Sequence, residues 1–159
     1  MEELAEGVPG EVAAENARRK ALAVRDGDRL VLGADTLVVV DRDILGKPAD
    51  AAQAEAFVGR LAGRAHQVVS GIALARDGTI VAEAVETTEV VFRALSAGEI
   101  AAYVALGEWE GRAGGYAIQG RGAALVRRIS GDYLNVVGLP LARLLDILPH
   151  AGLQRIFVR

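Results

Sequence analysis

An aspartate inside an apolar run is the first residue of this sequence with a clear chemical use. Asp35 lies within LVLGADTLVVVD, residues 30–41, and the apolar, β-branched residues around it predict a strand buried on both faces. A buried carboxylate is costly unless hydrogen bonds, a cation or a metal ion compensate its charge. Asp35 is therefore either a functional carboxylate or a structural one that ends its strand and caps a turn through the backbone of Gly33 and Thr36.

Lysine is scarce in this chain, which makes its two lysines informative. Lys20 and Lys47 stand against sixteen arginines, so a generic surface cation here is almost always arginine. A lysine ammonium is a compact charge on a flexible stem and suits a single phosphate oxygen, whereas arginine presents a planar fork. Lys47 follows the strand of Asp35, in the kind of loop where open α/β sheets place ligands. A solvated loop lysine remains the alternative.

A glycine-rich segment, AGGYAIQGRG at residues 113–122, is the third candidate. Its four glycines permit positive φ angles and close approach of the backbone to a ligand, although plain turns share this composition. Gln119 adds an amide that both donates and accepts, so it can match the edge of a pyrimidine base, or bind the backbone instead. We expect His66 and Tyr116 to serve packing or a hydrogen bond within the sheet.

The elements that must position these residues alternate between helix and strand. Strand-like runs cover residues 30–41, 65–76, 79–93 and 123–129, and helical patterns cover residues 10–25, 50–61, 96–107 and 139–148. Capping boxes at Asp50 and Ser96 begin two of the helices, and Asp77-Gly78 predicts a hairpin. Because the hairpin adds antiparallel pairing to a helix–strand alternation, we predict an α/β fold with a mixed sheet, in a single domain spanning residues 1–159.

Composition excludes several classes of protein. A net charge of −3 over 159 residues provides no broad basic field for nucleic acid, so we expect no nucleic-acid partner. The absence of cysteine excludes disulfides and thiolate metal sites and fits a reducing cytoplasm. No apolar run is long enough to span a membrane, and the acidic start does not match a signal peptide. We therefore expect a cytoplasmic protein with no membrane contact.

Five short motifs occur in order along the chain, and together they resemble the Maf family of nucleoside triphosphate pyrophosphatases. The motifs are KA at Lys20, GADTLVV at Asp35, LGKP at Lys47, AGGYAIQG at Gln119 and SGDYLNVVGLP near the end. The match extends from about residue 9 to residue 148. Several spaced motifs in register are far more specific than any one of them.

This resemblance implies a Maf/Ham1-like (ITPase-like) fold, in which helices flank a twisted mixed sheet with a deep cleft, and a homodimer. It also implies hydrolysis of a nucleoside triphosphate to the monophosphate and pyrophosphate with a divalent metal, Mg²⁺ or Mn²⁺. The residue matching Asp35 acts as general base and contacts the metal, while the lysines matching Lys20 and Lys47 hold the triphosphate. Thr36 in ADT and Gln119 in IQG resemble the subgroup that acts on dTTP and UTP, so the implied substrates are dTTP, UTP or modified pyrimidine nucleotides.

The sequence departs from the family pattern at its beginning. Family members start with a strand and a Ser-x-Ser-Pro-Arg-Arg phosphate loop that this sequence lacks, and Arg18 and Arg19 belong to the first helix instead. The acidic residue that the family uses near the metal corresponds to Glu2 or Glu3. This departure supports an alternative, a catalytically impaired nucleotide-binding or cell-division regulatory protein of the same fold. A further alternative, which sets the resemblance aside, is a structural domain in which Asp35 only stabilises the fold.

Overall fold

A five-stranded sheet organises the chain in the computed structural model, which describes residues 3–25 and 27–154. The strands are β1 (Val31–Val40), β2 (Asp43–Leu45), β3 (Ala65–Arg76), β4 (Thr79–Phe92) and β5 (Val126–Ser130). Their order across the sheet is β2-β1-β3-β4-β5, which places β3 in the middle. The helices are α1 (Pro9–Ala23), α2 (Ala51–Leu61), α3 (Ala97–Val104), α4 (Tyr133–Val137) and α5 (Leu141–Ile147). The predicted α/β class is confirmed.

The strand directions differ from the predicted mixed sheet, because all four pairings among the described residues are antiparallel. The difference originates in the three-residue strand β2, which is not among the predicted strands. The chain reverses between β1 and β2 through Asp41 and Arg42, which both have positive φ. Helix α2 then connects β2 to β3, two strands that run in the same direction on opposite sides of β1. The helical crossover therefore exists but joins strands that are not neighbours.

Local signals locate most of the element boundaries. Asp77 and Gly78 form the β3–β4 turn with φ angles of 51° and 73°, as the Asp-Gly pair predicts. Ser96 and Glu99 form a complete capping box at α3. At α2 the Asp50 side chain accepts from the Gln53 N–H, but the Gln53 side chain accepts from the Ala49 N–H rather than from the cap residue itself. That box is only half formed.

Two boundaries near the end of the chain shift from their predicted positions. The predicted strand 123–129 begins at residue 126, because residues 121–125 form a 3-10 turn instead. The predicted helix 139–148 begins at Leu141, after Pro140 at its N-cap.

Helix α1 lies almost directly on the sheet backbone. Ala13, Ala17 and Ala21, spaced by one helical turn, have no exposed surface, and they face β1 and β3. A Cβ atom added to Gly33 would clash with the Ala17 carbonyl oxygen and lie 2.5 Å from the Ala21 nitrogen. One added to Gly71 of β3, which pairs with Asp35, would clash with the Ala13 carbonyl. The small residues therefore set how close α1 comes to β1.

The opposite face of the sheet carries the larger apolar cluster. Side chains alternate along a strand, so Val68 and Ile72 of β3 point away from α1, toward the layer that contains α2 to α5. Val58, Leu61 and Phe92 are each at most 1% exposed within this layer. Strand β3 is buried on both faces over nearly its whole length.

Among residues 3–25 and 27–154, no helix is long and apolar enough to cross a membrane.

Candidate functional site

The site lies at the edge of β1 beyond the end of β2. Strand β2 pairs only with Val38–Val40, so Asp35 and Thr36 precede the part of β1 that β2 covers. Two adjoining cavities of about 190 and 280 Å³ open there, and both are lined by Asp35, Thr36, Lys47 and Ala113. The fold thus brings three predicted residues to one cleft, and Lys20 lines the first cavity as well.

Asp35 is buried and has two donors from the same helix. Its side chain is 6% exposed, Lys20 Nζ lies 2.5 Å from Oδ1, and Asn16 Nδ2 lies 2.9 Å from Oδ2. Asp35 occupies the interior of β1 and does not end the strand. The alternative of a turn-capping aspartate is therefore wrong, and the expected compensation of a buried carboxylate is confirmed as a cation and an amide.

Asn16 was not singled out in the sequence, yet it links the cleft to the segment before α1. It is 2% exposed, and its Oδ1 accepts from the Leu4 N–H at 2.8 Å while its Nδ2 donates to the Leu4 carbonyl at 3.0 Å and to Asp35. The available signal was its position: an amide between Ala13 and Ala17 on the buried alanine face of a helix needs polar partners.

A second carboxylate, Glu3, shares Lys20 with Asp35. Glu3 Oε1 lies 2.8 Å from Lys20 Nζ, and Glu3 Oε2 lies 3.8 Å from Lys47 Nζ. The hydrogen bond from Lys20 outweighs partial burial and lowers the pKa of Glu3. Burial alone would lower the pKa of Lys20, but its hydrogen bonds to Asp35 and Glu3 prevail and raise it. Glu3 and Lys20 therefore both stand charged at neutral pH. Of the two candidates Glu2 and Glu3, the second is placed at the site; Glu2 lies outside the described residues.

Thr36 points to the other face of β1. Its Oγ1 lies 2.8 Å from Ser70 Oγ, across the β1–β3 pairing, and 3.4 Å from the Gly138 carbonyl oxygen. Gly138, at the end of α4, also lines the first cavity, so the SGDYLNVVGLP segment contributes backbone to the cleft wall. Ser70 and Gly138 carried no sequence signal of their own.

Among the predicted site residues that the structure describes, Gln119 is the one that does not lie on the cleft. It is exposed, in a turn that follows Tyr116, and neither cavity includes it. Tyr116 itself lines the first cavity while its Oη lies 2.8 Å from His66 Nε2. Both rings make edge contacts with Phe92, which confirms the predicted packing and hydrogen-bonding role of His66 and Tyr116.

A further cation, Arg112, lines the first cavity beside Lys20 and Lys47. Its residue type gave no indication of this position, because Arg112 is one of sixteen arginines in the chain. Three cationic side chains and a buried carboxylate at one cleft suit a polyanionic ligand that reacts with water.

The donor set fits a divalent metal held jointly by protein and ligand. In the part of the chain that the structure describes, no group of three or more His, Cys, Asp or Glu side chains could hold a metal ion alone. Glu3 and Asp35, however, bind the same ammonium and so flank one cation position. Mg²⁺ is usually bound by one or two carboxylates together with substrate phosphates, which is what these two residues can offer.

Known proteins resemble this chain over most of its length. The sequence profile of the family described as "Maf-like protein" matches residues 1–151. The dTTP/UTP pyrophosphatase of Symbiobacterium thermophilum is 54% identical over 147 residues, covering 91% of this chain and 75% of that protein. The dTTP/UTP pyrophosphatase of Sphingopyxis alaskensis is 50% identical over 148 residues, covering 92% and 77%. The nucleoside triphosphate pyrophosphatase of Xylella fastidiosa is 45% identical over 148 residues, covering 92% and 78%.

Proposed function

Because this chain belongs to the Maf family, we propose that it hydrolyses dTTP and UTP to the monophosphate and pyrophosphate at the cleft around Asp35. The observation that carries the proposal is the buried Asp35 carboxylate, hydrogen-bonded to Lys20 at a cleft that also presents Lys47. A buried, oriented carboxylate beside phosphate-binding cations is what attack of water on a phosphoryl group requires.

The residues divide the reaction between them. The oxygen of a water molecule attacks the α-phosphorus, its proton passes to Asp35, and the bond from the α-phosphorus to the bridging oxygen breaks, so that pyrophosphate leaves with the electron pair. Asn16 occupies one oxygen of Asp35, and a carboxylate retains further lone pairs to accept the proton. Lys20, Lys47 and Arg112 neutralise the negative charge of the triphosphate and of the departing pyrophosphate.

Glu3 and Asp35 are the residues that would hold the divalent metal. When bound, Mg²⁺ or Mn²⁺ supplies positive charge that polarises the phosphoryl oxygens and stabilises the leaving group. The contribution of the protein is to hold both carboxylates within hydrogen-bond distance of the same Lys20 Nζ, so that they lie close enough to each other to share a metal ion.

Base recognition is assigned to Thr36 and Gln119. Thr36 lines both cavities, and its hydroxyl is held by Ser70. Gln119 carries an amide that matches the ring N–H and carbonyl of uracil or thymine, on an exposed turn next to Tyr116 of the cleft wall. The proposed protein is also a cytoplasmic homodimer with a single domain in each chain. The family resemblance supports this part of the proposal.

The test incubates the chain with Mg²⁺ or Mn²⁺ and a panel of nucleoside triphosphates, and assays pyrophosphate and orthophosphate separately. We expect pyrophosphate release that is fastest with dTTP and UTP. Asp35→Asn should lower kcat by about 10²- to 10⁴-fold, the usual contribution of a general base.

Asp43→Asn is the matched control, because Asp43 is an exposed aspartate of the neighbouring strand β2 and pairs with Arg60. It should retain wild-type kcat. Release of orthophosphate in place of pyrophosphate, or full activity in Asp35→Asn, contradicts the proposed reaction. Nucleotide binding without turnover would instead support the catalytically impaired alternative.

A further inference from the structure

The turn that carries Gln119 is held at both ends by two side chains from outside it. We call residues 117–122 the glutamine turn. The Ala117 N–H donates to Tyr103 Oη at 3.0 Å, the Arg121 N–H to Glu108 Oε1 at 2.8 Å, and the Gly122 N–H to Glu108 Oε2 at 3.0 Å. Three backbone donors, one before Gln119 and two after it, therefore end on Tyr103 and Glu108.

Tyr103 and Glu108 also bind each other. Tyr103 Oη lies 3.1 Å from Glu108 Oε2, so the phenol accepts from the glutamine turn and donates to the carboxylate. Tyr103 is 5% exposed in the last turn of α3, and the Trp109 indole N–H donates to the Val104 carbonyl at 3.0 Å, which fixes the chain between the two residues. The backbone hydrogen bond from Arg121 is the largest influence on Glu108 and lowers its pKa. The carboxylate is thus an ionised acceptor of three hydrogen bonds.

Two glycines let the glutamine turn rest on this pair without an intervening side chain. A Cβ atom on Gly122 would lie 2.9 Å from Tyr103 Oη and clash with the Ala117 carbonyl, and one on Gly120 would lie 2.8 Å from Glu108 Oε1. The backbone on both sides of Gln119 is therefore positioned by direct contact with Tyr103 and Glu108.

We propose that Tyr103 and Glu108 are positioning residues for base selection, which act by holding the Gln119 amide in place for the edge of a uracil or thymine ring. The inference rests on the proposed function, since it assumes that Gln119 recognises the base. An exposed side chain on a free turn would lose much of its discrimination to conformational entropy, and a displacement of about 1 Å can cost 10²-fold in rate. Tyr103 and Glu108 reduce the conformational freedom of the glutamine turn by binding its backbone.

The experiment compares UTP with CTP, because cytosine presents an acceptor and an amino donor where uracil presents a ring N–H and a carbonyl. Four variants are measured: Tyr103→Phe, Glu108→Gln, Gln119→Ala and Glu108→Gln combined with Gln119→Ala. We expect Gln119→Ala to abolish the preference for UTP. Tyr103→Phe and Glu108→Gln should each lower the UTP/CTP ratio of kcat/KM by about tenfold, mainly through the KM for UTP. Glu108→Gln should add nothing once Gln119 is gone.

Glu110→Gln is the matched control, since Glu110 is exposed in the same segment and the substitution removes the same charge. It should leave the ratio unchanged. The same variants are also made in an Asp35→Asn background, and calorimetry measures their binding of UTP and CTP with Mg²⁺. This provides the ratio of the two affinities without turnover. Thermal unfolding shows whether each variant is folded.

The outcomes separate the two proposals. If Gln119→Ala leaves the UTP/CTP ratio intact, base recognition by Gln119 is wrong and this inference falls with it. If Gln119→Ala abolishes the ratio while Tyr103→Phe and Glu108→Gln preserve it, only the inference is overturned. An equal loss for both nucleotides with a lower Tm also overturns it, because the pair would then serve stability alone.

Discussion

Asp35 has each of its oxygen atoms bound by a donor from α1, Lys20 on one and Asn16 on the other. This arrangement answers the question of how a carboxylate can lie within an apolar strand, because one charge and one amide replace the lost hydration. Both N–H groups of the Asn16 carboxamide are in use, since one binds Asp35 and the other binds the carbonyl of Leu4, next to Glu3, while its oxygen accepts from the Leu4 N–H. One buried amide therefore fixes both carboxylates of the cleft relative to each other.

Replacement of Asn16 by leucine should affect both stability and catalysis. The leucine is similar in volume, but it removes the hydrogen-bond partner of the Leu4 backbone and of Asp35 Oδ2, and an unsatisfied buried group costs about 1 to 3 kcal/mol. We expect the free energy of unfolding in urea to fall by about 2 kcal/mol or more and kcat/KM to fall by at least about tenfold. An unfolding free energy within about 0.5 kcal/mol of wild type, as for an ordinary surface substitution, would show that the amide contributes little.

Residue types alone led to some members of this site and not to others. Asp35 was predictable because it is a charged residue within an apolar run. Lys20 and Lys47 were predictable because lysine is rare in a chain whose other cations are arginines. Asn16, Ser70 and Arg112 were not, because an amide, a hydroxyl and one more arginine are ordinary in a sequence and acquire meaning only from what they face. The position of Gln119 off the cleft likewise depends on how the chain turns after Tyr116.

At the scale of elements, the contact of α1 with β1 and β3 brings Lys20 to Asp35. The absence of a side chain at Gly33 and Gly71 lets the helix approach, and the 2.5 Å contact from Lys20 to Asp35 depends on that approach. The helix is held there by the alanine face described above.

Gly71→Ala should therefore destabilise the protein and weaken the site together. Because the added methyl group meets the helix backbone at Ala13 and not a flexible side chain, we expect a loss of about 1 to 3 kcal/mol, the range for overpacked cores. Gly59→Ala in α2 is the control of opposite sign: its added Cβ would lie 4.0 Å from Ile100 Cδ1, and alanine is preferred by about 1 kcal/mol in a helix. Thermal unfolding of both variants checks the pair, and a stable Gly71→Ala protein would contradict the close approach.

Elements with local signals were predictable, and those that depend on distant partners were not. The β3–β4 hairpin and the capping box of α3 are encoded within a few residues, so their positions followed from the sequence. The direction of β1 relative to β3 depends on β2, whose three residues are too few to show an alternating pattern. One short edge strand thus accounts for the difference between the predicted mixed sheet and the observed antiparallel sheet.

At the scale of the whole molecule, His66 makes stability depend on pH. It is 3% exposed, Nε2 is bound to Tyr116, and Nδ1 is buried without a hydrogen-bond partner among the described residues. Burial lowers its pKa from 6.5 to about 4. Between these two values the unfolded chain binds a proton that the folded chain does not, so stability falls as the pH falls from 6.5 toward 4, and this contribution is constant outside that window.

The shift corresponds to a loss of up to about 3 kcal/mol across the window. His66→Phe removes the titrating group while retaining a ring beside Phe92 and Tyr116, so its unfolding free energy should decline less over the same range. Urea unfolding of both proteins from pH 4 to pH 8 measures the difference between their unfolding free energies. The contributions of other titrating groups are common to both proteins and cancel in this difference. Equal slopes for the two proteins would mean that His66 is protonated as readily folded as unfolded.

The contact of α1 with Gly33 and Gly71 also limits how this sequence can change. In an ordinary core, such as that around Leu61 and Phe92, a larger side chain at one position can be matched by a smaller one at another. Here the nearest atoms are mainly helix backbone, so removing the one side chain in close contact, Ala21 at Gly33, would not relieve the clash. Substitution of either glycine by a larger residue is consequently disfavoured, so the helix that carries Lys20 keeps its position on the sheet. The residues of the apolar layer on the far side of the sheet remain free to vary.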